Sequence, residues 1–131
     1  EKLSDIASLV HVSGYIPNKD LPAVFTAARA FIYTSLRESF GIPLLEAMAC
    51  GAPVLTSNTS SMPEIGGDGA LFVDPFNERE IAFQFECLAT DDLLCERLRK
   101  QGFENVKRFS WKHTAECVLD VYKEVTENKV D

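Results

Sequence analysis

The sequence has no CxxC pair, no surplus of positive charge and no long apolar run. Each absence narrows what the chain can do. Its 13 basic residues stand against 20 acidic ones, for a net charge of -7. That balance argues against a general affinity for nucleic acid phosphates or anionic membrane surfaces. No apolar stretch approaches the roughly 20 residues that a membrane-spanning helix needs. No charged-then-apolar leader opens the chain, so nothing points to secretion. The four cysteines, Cys50, Cys87, Cys95 and Cys117, show no metal-ligand spacing with a histidine and read as buried, reduced thiols of a cytosolic protein. A zinc or redox site is the remote alternative. Internal repeats and low-complexity linkers are also lacking, which leaves no second domain boundary.

What is there suits one soluble domain. The 131 residues are 46% hydrophobic and 25% charged, ordinary values for a globular unit of this length. Val10 to Tyr15 alternates apolar and small or polar residues and reads as a strand. Asp20-Leu21-Pro22 reads as a helix start, with Asp20 as cap and Leu21, Val24, Phe25 and Ala28 on one face. Ala30 to Thr34, Pro53 to Ser57 and Ala70 to Val73 are short apolar runs, as expected of strands buried on both faces. Pro43 to Cys50 is helix-forming, with Gly51 as its stop. Capping boxes at Ser61 to Glu64 and Asn77 to Glu80 open two further helices, the second with Ile81, Phe85 and Leu88 inward. Thr90 or Asp91 starts another, with Leu94 and Leu98 inward. Ser110 caps a last one, where Trp111, Ala115, Val118, Tyr122 and Val125 share a face. The alternation predicts an α/β fold, a Rossmann-like parallel sheet flanked by helices. In such sheets ligands sit outside the carboxyl ends of the strands. The loops Ser35 to Gly41 and Ser57 to Pro63 therefore matter most.

The informative stretch is ESFGIPLLEAMACGAPV, from Glu38 to Val54. Two carboxylates, Glu38 and Glu46, flank seven residues. Gly41 and Pro43 break the segment, so Glu38 belongs to a loop and Glu46 to the early turns of the next helix. From there both can face one cleft. A carboxylate accepts two hydrogen bonds at once, which matches the vicinal hydroxyls of a ribose or a hexose. Gly41 lets backbone approach a ligand closely. The amides near Phe40, Gly41, Ile42 and Leu44 lie at a helix N-terminus and suit a phosphate. Paired carboxylates also suit glycoside hydrolysis, although nothing else in the chain marks a hydrolase.

The same stretch resembles the E-x7-E motif of retaining GT-B-fold glycosyltransferases, the group 1 family. GYIPNKDLPAVFTAARAFIYTSLRESFG, SNTSSMPEIGGDGALFVDP and the FSW at Phe109 to Trp111 also look like that family's C-terminal domain. The resemblance runs in order from about Val10 to Val125. It implies an incomplete C-terminal half of a GT-B fold, so that residues 1–131 form a partial nucleotide-sugar-binding domain and the N-terminal acceptor domain is absent. It implies transfer of a hexose from a nucleoside diphosphate sugar, GDP- or UDP-linked, with retention, in polysaccharide or glycoconjugate synthesis. No cofactor or resident metal is implied. Glu46 would bind ribose hydroxyls, and Glu38 would be the catalytic carboxylate, against the sugar near its anomeric carbon. Ser39, Phe40, Gly41 and Ile42 would meet sugar and pyrophosphate, and Leu44 the phosphate or ribose. The strand and helix that carry a pyrophosphate-binding Arg and Lys in the family lie upstream of anything in this sequence. Arg37, beside the motif, reads as a solvated loop residue and is not given that role.

The fragment alone is therefore expected to be inactive, with a glycan or lipid acceptor held by the absent domain. Further expectations are self-association through an exposed sheet edge and a cytoplasmic setting, at the inner face of a membrane in the full-length protein. Two other readings stand beside this one: a non-catalytic nucleotide-sugar-binding or interaction module, and a receiver-type regulatory domain. The latter needs an acidic cluster at strand ends for Mg²⁺, and no strand here ends that way. His11 and His113 have structural or solvent-facing readings. Glu64 is accounted for by its capping box, with a contact near the donor pocket implied by the family. Loop polarity explains Asn58 and Thr59.

Overall fold

Apolar runs too short for a helix become strands. In the computed structural model, which describes residues 6–127, β1 spans Phe31–Tyr33, β2 Val54–Ser57 and β3 Ala70–Val73. β2 pairs in parallel with both neighbours, Val54 lying between Phe31 and Ala70. All of β2 is buried. The helices are α1 (Leu21–Ala27), α2 (Ile42–Ala49), α3 (Met62–Gly66), α4 (Glu78–Thr90), α5 (Asp92–Val106) and α6 (Trp111–Glu127), of which α1 to α5 pack around the sheet. Alternate strand residues point to opposite faces, and the core divides accordingly. Val54 packs with Phe25, Leu44, Met48 and Met62 of α1 to α3, whereas Leu55 packs with Val73, Leu88, Cys95 and Leu98 toward α4 and α5. Helices thus cover both faces of a parallel sheet, as the alternation predicts.

Three helix starts are capped as their sequences suggest. Asn77 accepts from the Glu80 N–H at 3.2 Å, Asp91 from the Leu94 N–H at 2.9 Å and Ser110 from the His113 N–H at 3.0 Å. Two expected caps are not made. Asp20 heads α1 without a side-chain bond to it. Ser61 heads α3, but its hydroxyl turns away to carbonyls of the loop before α2. Glu64 is correspondingly exposed.

Other expectations fail for want of a partner. Val10 to Tyr15 is exposed and forms no strand. Alternation provides the side chains of a strand but not the neighbouring ladder that defines one, and no described strand lies beside it. β1, at an edge of the sheet, is half-buried and shorter than expected. Phe85 is 55% exposed, although Leu88 of the same helix is buried. The apolar face of α6 is uncovered along its whole length, Trp111 being 80% exposed. The cysteines divide too: Cys95 is buried, Cys50 and Cys87 are half-buried, and Cys117 is exposed. Cys117 also lies 3.7 Å from the His113 ring one turn earlier, so the expectation that no cysteine has a nearby histidine does not hold for it.

α5 anchors the site-bearing layer. At Gly69 a Cβ would stand 2.9 Å from the Gly102 Cα, and at Gly102 it would stand 3.2 Å from Met48. This close approach lets Asn105, buried in α5, donate to the Ile65 carbonyl at 2.8 Å while its Oδ1 accepts from Arg108 at 2.8 Å. α2 and α3, which frame the two long loops, are thereby tied to one support.

Candidate functional site

Both long loops leave the carboxyl ends of adjacent parallel strands, β1 and β2, so they meet at one edge of the domain. The first carries Glu38. Its Oε1 accepts from the Tyr33 hydroxyl, in a short bond, and from the Ser35 hydroxyl at 3.2 Å. The bond to Glu38, together with burial and the carboxylate's charge, holds the Tyr33 phenol above its ordinary pKa. Glu38 is half-buried.

The second loop grips the first through hydroxyl groups. Ser57 donates to the Ser35 carbonyl and Thr59 to that of Leu36, the latter at 3.4 Å. Ser60 donates to the Glu38 carbonyl at 2.6 Å and accepts from the Glu38 N–H at 3.3 Å. Ser61 donates to the carbonyls of Glu38 and Phe40 at 3.1 and 2.9 Å. Ser60 makes its contacts from φ +58°, a left-handed conformation that costs a non-glycine residue roughly 1 kcal/mol. The sequence signal was the run Ser57-Asn58-Thr59-Ser60-Ser61 directly after a strand. Loop polarity accounts for Asn58 but not for Thr59, whose hydroxyl is part of the clamp.

α2 begins at Gly41, whose φ of +100° turns the chain into the helix. A Cβ there would stand 3.0 Å from Met62 Cε, so glycine serves both the turn and the packing. Among the described residues the N–H groups of Phe40, Gly41 and Ile42 have no protein acceptor, and Pro43 has none to offer. Such amides, aligned with a helix dipole, favour an anion. Leu44 does not belong with them. Its side chain is fully buried and its N–H donates to the Gly41 carbonyl at 3.0 Å, which gives it to the core. Ser39, Phe40 and Ile42 are exposed, and Phe40 meets Phe109 edge to face at 5.8 Å. Glu46 is exposed on the second turn of α2, and Arg37 is exposed in the loop. A cleft lined by Gly67, Lys100, Asn105 and Arg108 lies beside α5 and includes neither motif carboxylate.

The motif therefore sets a held carboxylate in the loop before α2, three free amides at the helix start and a second, exposed carboxylate on its second turn. A model of the family described as glycosyl transferases group 1 matches residues 2–105. The chain belongs to that family. Relatives of this group 1 domain include the O-antigen chain mannosyltransferase B of Escherichia coli, 41% identical over 84% of the chain, and the serotype-specific mannosyltransferase WbdA of Escherichia coli, 37% identical over 82%. The chain spans 29% and 13% of the length of these two proteins. Among solved structures, sucrose-phosphate synthase from Thermosynechococcus elongatus superposes with a TM-score of 0.85 at 25% identity, over 98% of this chain and 33% of that one. The C-terminal domain of a group 1 family glycosyl transferase from Francisella tularensis superposes at 0.68 and 25% identity, over 82% of this chain and 57% of that one. The parallel sheet between helices is that of the C-terminal domain in GT-B glycosyltransferases. No helix of the described residues is long and apolar enough to cross a membrane.

Proposed function

We propose that this group 1 domain binds the donor in a glycosyltransferase that moves a hexose from a nucleoside diphosphate sugar with retention of configuration. The observation that carries the proposal is the start of α2: free amides at Phe40, Gly41 and Ile42, preceded by the held Glu38 and followed by the exposed Glu46. In this reading Glu38 meets sugar hydroxyls near the anomeric carbon as the catalytic carboxylate. Glu46 accepts from the ribose hydroxyls. The amides, with Ser39 beside them, meet the pyrophosphate, stabilising charge as the diphosphate departs. Two relatives are called mannosyltransferases, which favours mannose as the sugar and polysaccharide or glycoconjugate synthesis as the setting. No resident metal takes part.

The whole protein's activity rests on more than this chain. We place acceptor binding, to a glycan or lipid, in a separate N-terminal domain, and transfer in a longer cytoplasmic protein that works at the inner face of a membrane. In the isolated chain the free edge of β1 would pair with that of a second copy.

Calorimetric titration with GDP, UDP and ADP tests the donor site. Binding of one diphosphate by the full-length protein, weakened at least about tenfold by Glu46→Ala, is expected, about the worth of one charge-assisted hydrogen bond. Absence of binding to all three would sink the proposal.

A further inference from the structure

Glu38 is held at its N–H, its carbonyl and its carboxylate, and three of the residues that hold it lie outside its loop. Ser60 and Ser61 fix its backbone. Tyr33, the last residue of β1, reaches its carboxylate from the strand itself. The phenol is anchored in turn. Its ring stacks on Phe31 at 5.7 Å, and Phe31 meets the buried Phe25 edge to face at 5.2 Å. Its backbone carbonyl accepts from Thr56 of β2 at 2.8 Å. A rigid aromatic lever thus runs from the core to a single carboxylate oxygen. Both donors, Tyr33 and Ser35, converge on Oε1, and among the described residues Oε2 has no partner.

We propose that Tyr33 is a positioning residue that spends one oxygen of Glu38 on the scaffold and thereby aims the other at the donor sugar. The inference rests on the donor-site reading above. Two hydroxyl donors on Oε1 fix the carboxylate plane about the side-chain torsions, which a long flexible glutamate does not do by itself. Oε2 then meets a sugar hydroxyl without a search through rotamers. The ground-state hold on the nucleotide lies elsewhere, at Glu46 and the α2 amides. Loss of the phenol therefore acts on turnover more than on donor affinity, the signature of geometry lost at the reacting end.

The test compares Tyr33→Phe, Glu38→Gln and the double variant in the full-length protein, with GDP-mannose and UDP-glucose as donors. Tyr33→Phe is expected to lower kcat about 10- to 100-fold with donor KM and diphosphate affinity within about threefold. It should add nothing in the Glu38→Gln background. Loss of turnover in Glu38→Gln with kcat within twofold of wild type in Tyr33→Phe overturns the positioning role and leaves the donor reading standing. Full turnover in Glu38→Gln overturns both. A substrate-free arm, which does not depend on the folding of Tyr33→Phe, follows the three tyrosines by ultraviolet titration. One should titrate above the ordinary phenol range in the wild type and return toward it in Glu38→Gln. Three ordinary titrations in the wild type overturn the proposal.

Discussion

α5 and α6 follow one another, and both have a recognisable apolar face, yet they end in opposite situations. Leu98, Cys95 and Gly102 of α5 are buried against the sheet and α2, while no residue of α6 is buried. Periodicity states what a helix could cover. It does not state what is present to be covered. α5 meets its counterpart within the described residues because Gly102 lets it approach Gly69 and Met48. α6 meets none, and its Trp111, Tyr122 and Val125 face outward.

That contrast can be broken or sharpened by mutation. Leu98→Ala should cost the fold about 2–5 kcal/mol, from lost burial and a residual cavity. Urea denaturation measures it, and a loss below about 1 kcal/mol would mean that α5 is no better anchored than α6. Asn105→Leu should cost about 1–3 kcal/mol, since it strips the Ile65 carbonyl and Arg108 of a buried partner. A variant as stable as wild type would remove Asn105 as the tie between α5 and α3. Thermal unfolding of the isolated chain with Val118→Ser and Tyr122→Ser should change stability by less than about 0.5 kcal/mol. A large destabilisation would show that α6 already packs against something in solution.

Smaller effects concern the site. Folding raises the Tyr33 phenol's pKa, so its protonated form contributes stability that is intact below the unfolded value near 10. That contribution disappears as pH rises through the higher folded value. Between these limits stability should fall more steeply in the wild type than in Tyr33→Phe, as alkaline denaturation curves would reveal. Chelation with EDTA should leave diphosphate binding unchanged; loss of binding would reverse the proposal of a metal-free donor site.

Much of the fold was legible because its signals are local. Gly51, Pro43 and the caps Asn77, Asp91 and Ser110 punctuate the chain where the elements begin and end. β2 and β3 were readable from apolar runs of the right length. The failures were relational. Val10 to Tyr15 has a strand's pattern without a strand's neighbour. Ser61 has a cap's sequence, but a carbonyl of another loop competes for its hydroxyl. At the site, spacing located Glu38, Glu46 and the Gly41 turn, because those depend on a single helix start. It could not show that the Leu44 N–H is taken up by the Gly41 carbonyl, since that bond depends on how the chain turns at Gly41. Nor could it show that the loop after β1 folds back to bring Glu38 onto Tyr33, five residues earlier, or that the parallel pairing of β1 with β2 brings the serine run to a loop about 22 residues away.

The grip of the 57–61 loop on Glu38 has an evolutionary corollary. On the proposed reading, the sugar end and the nucleotide end of the donor are supported by separate stretches of chain, the serine run and the body of α2. Substitution within the run can re-aim one carboxylate while the other keeps its place. A domain so divided can drift toward a new sugar without relearning its nucleotide.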